Sequence, residues 1–351
     1  MIDFLADEKI INRGEVNITS SEYLFLYPKT GESQFEEWTR DPFIVFQDDT
    51  GKSPFVEVLD YEPSNAFSEG LEVNNIVKTR KSQCWYSFQG GDILTSNEIV
   101  ILGGQAFDVM MTRLKDLPTP VLGYEEGKQK LAEILNKDAS NLIIIGSKSK
   151  SNEEAIPKGN KISYEILFKP ESWFYSKNVK KAKISIGTDL PHIDLYITLT
   201  GEFSKESQPK PIILLAQIED YNSRHTEIDE LNEKLNRLEI ELSTHFYVIR
   251  NKLPCIYIKN IWVFLFYNNC LIENSFKSKT VWLPCYLCPL KNGTQRERVR
   301  TFQNCNELIW KALGFEVKFI EADFINVSSR RGSLHCLTKE INRENYSPFK
   351  Y

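Results

Sequence analysis

Four short stretches carry the residue types and spacings that could do covalent or acid–base chemistry. Near the C-terminus, RRGSLHCLTKE (330–340) sets His335 directly before Cys336, behind Gly332. Such a cysteine is a buried apolar residue, a metal ligand or a nucleophile. The last role needs a base elsewhere in the chain and groups that hold a substrate over the sulfur. His335 is a poor choice of base if the segment is a strand, because strand neighbours point to opposite faces. LPHIDLYITLTG (190–201) spaces His192 and Asp194 two apart in a predicted strand, where period-two geometry puts both on one face. An imidazole and a carboxylate so placed can shuttle a proton beside a bound cation, although the pattern also suits a solvated strand face. EEWTRDPFIVF puts Arg40 and Asp41 at a strand mouth, and Pro42 biases Asp41 toward an extended backbone. An ion pair or a turn cap is the plain use of that pair. In SFQGGDILTSNEIVILGG, Gly90-Gly91 precede Asp92 and two apolar runs, which predicts a hairpin. No G-x-G-x-x-G opens a helix there, so it is not a dinucleotide fingerprint.

Cys285-x-x-Cys288, in WLPCYLCPL, invites a metal or redox reading. No second pair stands at zinc spacing, and a strand containing a proline is not a thioredoxin-type setting.

The elements that must position these residues come from a chain of 351 residues, long enough for one large core. Hydrophobic residues at 41% and charged residues at 26% match a soluble globular protein, and a net charge of −5 gives no reason to expect nucleic acid or an anionic membrane as partner. Seven scattered cysteines, an odd number in a large chain, do not form a disulfide framework. The N-terminus has early acidic residues and no apolar run, so it is not a signal peptide. The most apolar stretch, CIYIKNIWVFLFY, contains Lys259 and is too short to span a bilayer. A soluble, cytosolic protein with reduced thiols is expected.

Strand-like runs dominate, at 22–27, 42–48, 98–104, 141–146, 192–201, 211–218, 261–267 and 316–327. Helical patterns lie between several of them. One covers 123–138 with Leu131, Ile134 and Leu135 on one stripe. The longest, about 225–245, repeats Ile228, Leu231, Leu235, Leu238 and Leu242 at three- and four-residue steps. A third, about 294–312, runs to a stop at Gly314. Residues 147–161 read as an exposed loop. No strong repeat is visible in the sequence. The expectation is a single α/β domain over 1–351.

In chain order, WTRD, GGD, HIDLYITLTG, YNNCLIEN…VWLP and GSLHCLT resemble the guanidine-modifying enzymes, with the closest likeness to agmatine deiminases and the bacterial type of peptidylarginine deiminase. The resemblance runs from about residue 35 to 340. It implies an α/β propeller of five ββαβ-type units around a central active site. It also implies Cys336 as nucleophile, His192 as general acid/base, and Asp41 and Asp194 as the carboxylates that grip a guanidinium. Trp38, Arg40, Gln89, Gly332 and either Asn268 or Asn269 would lie at the substrate. The implied substrate is a cationic guanidino small molecule or an arginine side chain of a peptide or protein, and no metal or organic cofactor is required.

A planar guanidinium presents a fork of donors suited to carboxylates, and a bound cation favours the thiolate of a nearby cysteine. Two features depart from the family pattern. Gln89 stands where agmatine-type members usually carry Glu, and Arg330-Arg331-Gly332 replaces a run of glycines. The two arginines could pair with an anionic group of the substrate or face solvent. An amidinotransferase, or a non-catalytic binding module on the same fold, are the competing functions. The identity of the guanidine and the oligomeric state are not set by the sequence.

Overall fold

The computed structural model describes residues 43–47, 54–58, 78–81, 90–96, 99–115, 123–146, 192–220, 226–258, 261–274, 278–288, 290, 293–329 and 332–338. One topology recurs through them. Two strands form an antiparallel hairpin, and a third then joins the second in parallel. In the first sheet these are β1 (Phe43–Gln47), β2 (Pro54–Val58) and β3 (Lys78–Lys81). The second sheet has β4 (Ile93–Thr95), β5 (Val100–Gly103) and β6 (Leu142–Ile145), with helices α1 (Gly104–Lys115) and α2 (Tyr124–Ile134) in the crossover. The third has β7 (Ile197–Phe203) and β8 (Pro211–Asp220), then α3 (Thr226–Leu242), then β9 (Tyr247–Ile258). A fourth strand, β10 (Ile261–Phe264), pairs antiparallel with β9. The last has β11 (Leu271–Asn274) and β12 (Lys279–Cys285), then α4 (Thr294–Ala312), then β13 (Glu316–Glu321), and a short α5 (Phe324–Ser328) follows. The described fold is mixed α/β.

The predicted periodicities account for the packing. On α3, Ile228, Leu231, Leu235 and Leu242 are buried and Leu238 is partly so, in one cluster with Ile213 and Leu215 of β8. The opposite side of the second sheet is closed by Phe107, Met110, Met111 and Leu114 of α1 and Leu131 of α2, with Ile134 and Leu135 packed at its edge. Strands β5, β6 and β8 read as continuous apolar runs because both their faces are covered. Helix α4 ends at Gly314, whose φ of +85° is the left-handed conformation that lets Gly314 N–H and Phe315 N–H reach the carbonyls of Lys311 and Trp310.

Two sequence expectations are corrected. The run 192–201 is not a strand throughout. Residues Ile193–Leu195 form a 3₁₀ turn, Tyr196 sits at φ −133°, ψ −6°, and β7 begins only at Ile197. Likewise 316–327 is a strand to Glu321 and then α5, because the Asp323 carboxylate accepts from Asn326 N–H and caps a new helix. The hairpin expected after Gly90-Gly91 forms as β4–β5. The run at 22–27 and the loop at 147–161 lie outside the described residues. Among the described residues no helix is long and apolar enough to cross a membrane.

Candidate active site

The first strand of each unit is antiparallel to the second, so its N-terminus lies at the carboxyl end of the parallel pair. Polar residues stand at these entrances. Asp92 closes the 3₁₀ turn Gly90–Asp92 just before β4, Asp194 lies in the turn before β7, and Asn269 precedes β11. Carboxyl ends of strands are where open α/β sheets bind ligands, because loops of different units converge there. In sequence, Asp41 holds the same place two residues before β1.

Two of these entrances meet at Cys336, those of Asp194 and Asn269. Residues 334–337 form a turn, with Leu337 N–H bonded to Ser333 O and Thr338 N–H to His335 O. The Cys336 sulfur lies 3.6 Å from Asp194 Oδ2 and 4.0 Å from Oδ1. Asn269 braces the nucleophile candidate on both sides. Its Nδ2 donates to the sulfur at 3.1 Å, and its Oδ1 accepts from Cys336 N–H at 3.1 Å. The same Nδ2 is 3.4 Å from the Asp194 carbonyl, and His335 N–H donates to Asn269 O at 3.2 Å. Asp194 is 1% exposed and Cys336 4%. The group is therefore assembled in a dry setting, where charge interactions are strong.

His335 corrects the sequence reasoning. In a turn, unlike a strand, adjacent side chains can reach one target. His335 Nδ1 stands 2.7 Å from Asp194 Oδ2, so His335 and Cys336 share one carboxylate. His192 and Asp194 do not sit on a common strand face either. His192 has an extended backbone before the 3₁₀ turn, and its ring packs against Gly91, where a Cβ would lie 2.4 Å from Nδ1. The approach of the two turns requires glycine at that position. Asp92 is a neighbour the sequence reading left aside as a hairpin residue. Tyr196 has its hydroxyl pKa raised by burial and then by the charges of Asp92 and Asp194. Burial first, and then the two carboxylates, favour the protonated phenol.

The turn carrying Cys336 is fastened from beneath. Tyr286 OH lies 2.9 Å from Ser333 Oγ and 3.1 Å from Ser328 Oγ, and Ser328 Oγ donates to Gly332 O at 3.2 Å. Burial above all raises the Tyr286 pKa, and proximity to Cys336 adds to it. Gly332 is therefore placed in the support of the turn. Asn268 and Asn269 also separate. Asn269 touches Cys336, whereas Asn268 exchanges two amide hydrogen bonds with Asn251, at 2.9 and 3.0 Å. Trp38, Arg40, Asp41 and Gln89 lie outside the described residues, as do Arg330 and Arg331. Among the described residues Cys285 and Cys288 have no third ligand. No cluster of three or more His, Cys, Asp or Glu able to hold a metal occurs among the described residues.

No family model and no curated protein matches the chain. Solved structures do. An agmatine deiminase from C. jejuni is similar at 15% identity over 86% of this chain and 71% of that one, with a TM-score of 0.48. A cysteine-to-serine variant of that enzyme with substrate bound aligns at 15% identity over 85% and 71%, with a TM-score of 0.46. A cysteine-to-serine mutant of DDAH from Pseudomonas aeruginosa, complexed with citrulline, aligns at 12% identity over 84% and 72%, with a TM-score of 0.35.

Proposed function

We propose that this protein is a cysteine-dependent deiminase that hydrolyses a guanidino C–N bond. The observation that carries the reading is the Cys336 sulfur 3.6 Å from the buried carboxylate of Asp194, with the Asn269 amide donating to that sulfur. A thiolate so close to a carboxylate is disfavoured by roughly 4 kcal/mol at an effective dielectric of 20. A cation seated between them reverses that sign. The arrangement therefore suits a cationic substrate whose arrival generates the nucleophile. A guanidinium also matches in shape, since its N–H fork pairs with Asp194 while its central carbon faces sulfur.

The steps give His192 the acid–base role that the motif resemblance implies. Guanidinium binding lowers the Cys336 pKa, and the thiolate attacks the central carbon to give a tetrahedral adduct. Protonated His192 donates to the departing nitrogen, ammonia leaves, and an S-alkylthiouronium remains. His192 then takes a proton from water, the hydroxide attacks the same carbon, and the C–S bond breaks as the new hydroxyl loses its proton to solvent, releasing the ureido product and thiolate. Such acid–base help contributes roughly 10²–10⁴ in rate. Asp41 is assigned the second carboxylate, with Trp38, Arg40 and Gln89 beside it, by motif resemblance. His335 holds Asp194 in place. Each described sheet is taken as one blade of a five-bladed ring. The protein is taken to work in the cytoplasm.

The test is ammonia release from agmatine, free arginine, an N-acylated arginine amide and an arginine-containing peptide, each against Cys336→Ala and His192→Ala. Turnover of any one substrate that both substitutions abolish, at unchanged folding, is the expected result. Wild-type rate in either variant refutes the assignment.

A further inference from the structure

The Cys285-x-x-Cys288 pair is left over once Cys336 is placed, and its geometry differs from what the sequence reading expected. Cys285 is the last residue of β12 and is buried, while Cys288 is exposed on the turn that follows. The two sulfurs stand 3.7 Å apart with Cys288 donating to Cys285. The turn is fixed from outside: Arg296 Nη1 donates to Leu287 O and, at 2.7 Å, to Leu290 O, bracketing Cys288. The sulfurs therefore face one another as a feature of the turn. Tyr286 lies between them in sequence, and its hydroxyl fastens Ser328 and Ser333 under the Cys336 turn.

We infer that Cys285 and Cys288 form a dithiol–disulfide modification site whose closure is transmitted to the Cys336 turn through Tyr286. The co-reactant is a small disulfide such as oxidised glutathione. The Cys288 thiolate attacks one of its sulfurs and expels one glutathione thiolate. Cys285 then loses its proton and attacks the Cys288 sulfur, expelling the second. Two protein thiols and one small disulfide become one protein disulfide and two small thiols, a two-electron exchange. The exposed member is the entry point and the buried member resolves.

Electrostatics set the tempo. Although the residue is exposed, the Cys288 sulfur is tucked against its neighbours. Partial burial first, then Cys285 and Glu321, push its pKa up to about 12, against the opposing pull of Arg296. Little thiolate is present at neutral pH, so entry is slow and accelerates about tenfold per pH unit. A dithiol not stabilised as thiolate also gives a disulfide that resists reduction.

The experiment places the full chain in glutathione buffers of stepped oxidation at pH 7.0 and 8.5, quenches with acid, alkylates and maps peptides by mass. One intrapeptide disulfide joining Cys285 and Cys288 is expected, about thirtyfold faster at the higher pH and absent from Cys288→Ser. Free alkylation of both thiols in the most oxidised buffer overturns the site, as does a Cys288–glutathione adduct that never resolves. In the same samples the alkylation rate of Cys336 is expected to differ between oxidised wild type and equally treated Cys288→Ser. An identical rate overturns the transmission. This readout needs no turnover, so it fails or succeeds independently of the deiminase reading.

Discussion

Asn268 and Asn269 are neighbours of one residue type, 3% and 0% exposed, yet they belong to different parts of the molecule. Asn269 turns toward the sulfur and backbone N–H of Cys336. Asn268 turns toward Asn251, with a weaker reach to Leu214 O at 3.4 Å. Asn251 in turn donates to Asn306 of α4 at 2.9 Å, and Asn306 donates to Lys252 O and Phe302 O. That second network ties β8, β9 and α4 together and involves no nucleophile. Burial and residue type are thus equal on the two sides, and only the partners divide site from scaffold. A buried amide that meets another buried amide fixes structure. In the proposed reading, one that meets a sulfur beside a carboxylate fixes chemistry.

The division predicts opposite signatures. Asn269→Ala removes the donor to sulfur and the acceptor for Cys336 N–H, so kcat is expected to fall roughly 10²–10³-fold, the range seen when one preorganised donor is lost. Asn268→Ala instead takes from Asn251 Oδ1 the donor that Asn268 supplies, while Asn251 keeps its bond to Asn306, and an unsatisfied buried polar group costs about 1–3 kcal/mol. It should lower the urea midpoint while leaving kcat of the folded fraction within a few fold. Parallel urea titrations and ammonia-release rates read both numbers. If Asn268→Ala loses rate without stability, the two networks are one and the comparison breaks.

Gly91 sharpens the comparison at the next level. It matters for what it lacks, since a methyl there would meet His192 Nδ1 at 2.4 Å. Gly91→Ala is expected to displace the imidazole and reduce kcat at least tenfold, with a shift in the pH–rate profile, since the group that titrates would move. Its thermal midpoint should change less than that of Asn268→Ala. An unchanged pH profile would remove His192 from the acid–base role.

What the sequence revealed, and what it hid, follows the same division. The stripes of α3 and the runs of β5, β6 and β8 were readable because burial imposes a local period. The turn at Ile193–Leu195 was not, because HIDLY has the composition of a strand although its central residues fold as a 3₁₀ turn. The repeated hairpin-and-crossover topology left no visible sequence repeat, since each unit meets its packing needs with different residues. The convergence of Asp194 on Cys336 joins positions 142 residues apart, and no local periodicity reports such a contact. The motif resemblance indicated Asp194 and Cys336 but missed His335, whose reach depends on the turn at 334–337. A cap signal at Asp323 could have identified α5.

The smallest effect separates two phenols packed edge to face at 5.1 Å. Tyr286 OH has two serine partners, whereas Tyr267 OH has no hydrogen-bond partner among the described residues. Tyr286→Phe should therefore cost about 1 kcal/mol, and Tyr267→Phe should be neutral or slightly stabilising. Burial raises both pKa values above that of an exposed tyrosine. The sign follows from linkage. Below about pH 10 both states hold the proton and stability is constant. Above it the unfolded chain ionises first, so stability falls by about 1.4 kcal/mol per pH unit for each such tyrosine until the folded pKa is passed. Each Phe variant should flatten the alkaline slope by that amount, measured as urea midpoints between pH 9 and 11. Equal slopes but unequal stabilities at pH 8 would mark Tyr286 as the one phenol whose partner, not burial alone, holds the Cys336 turn.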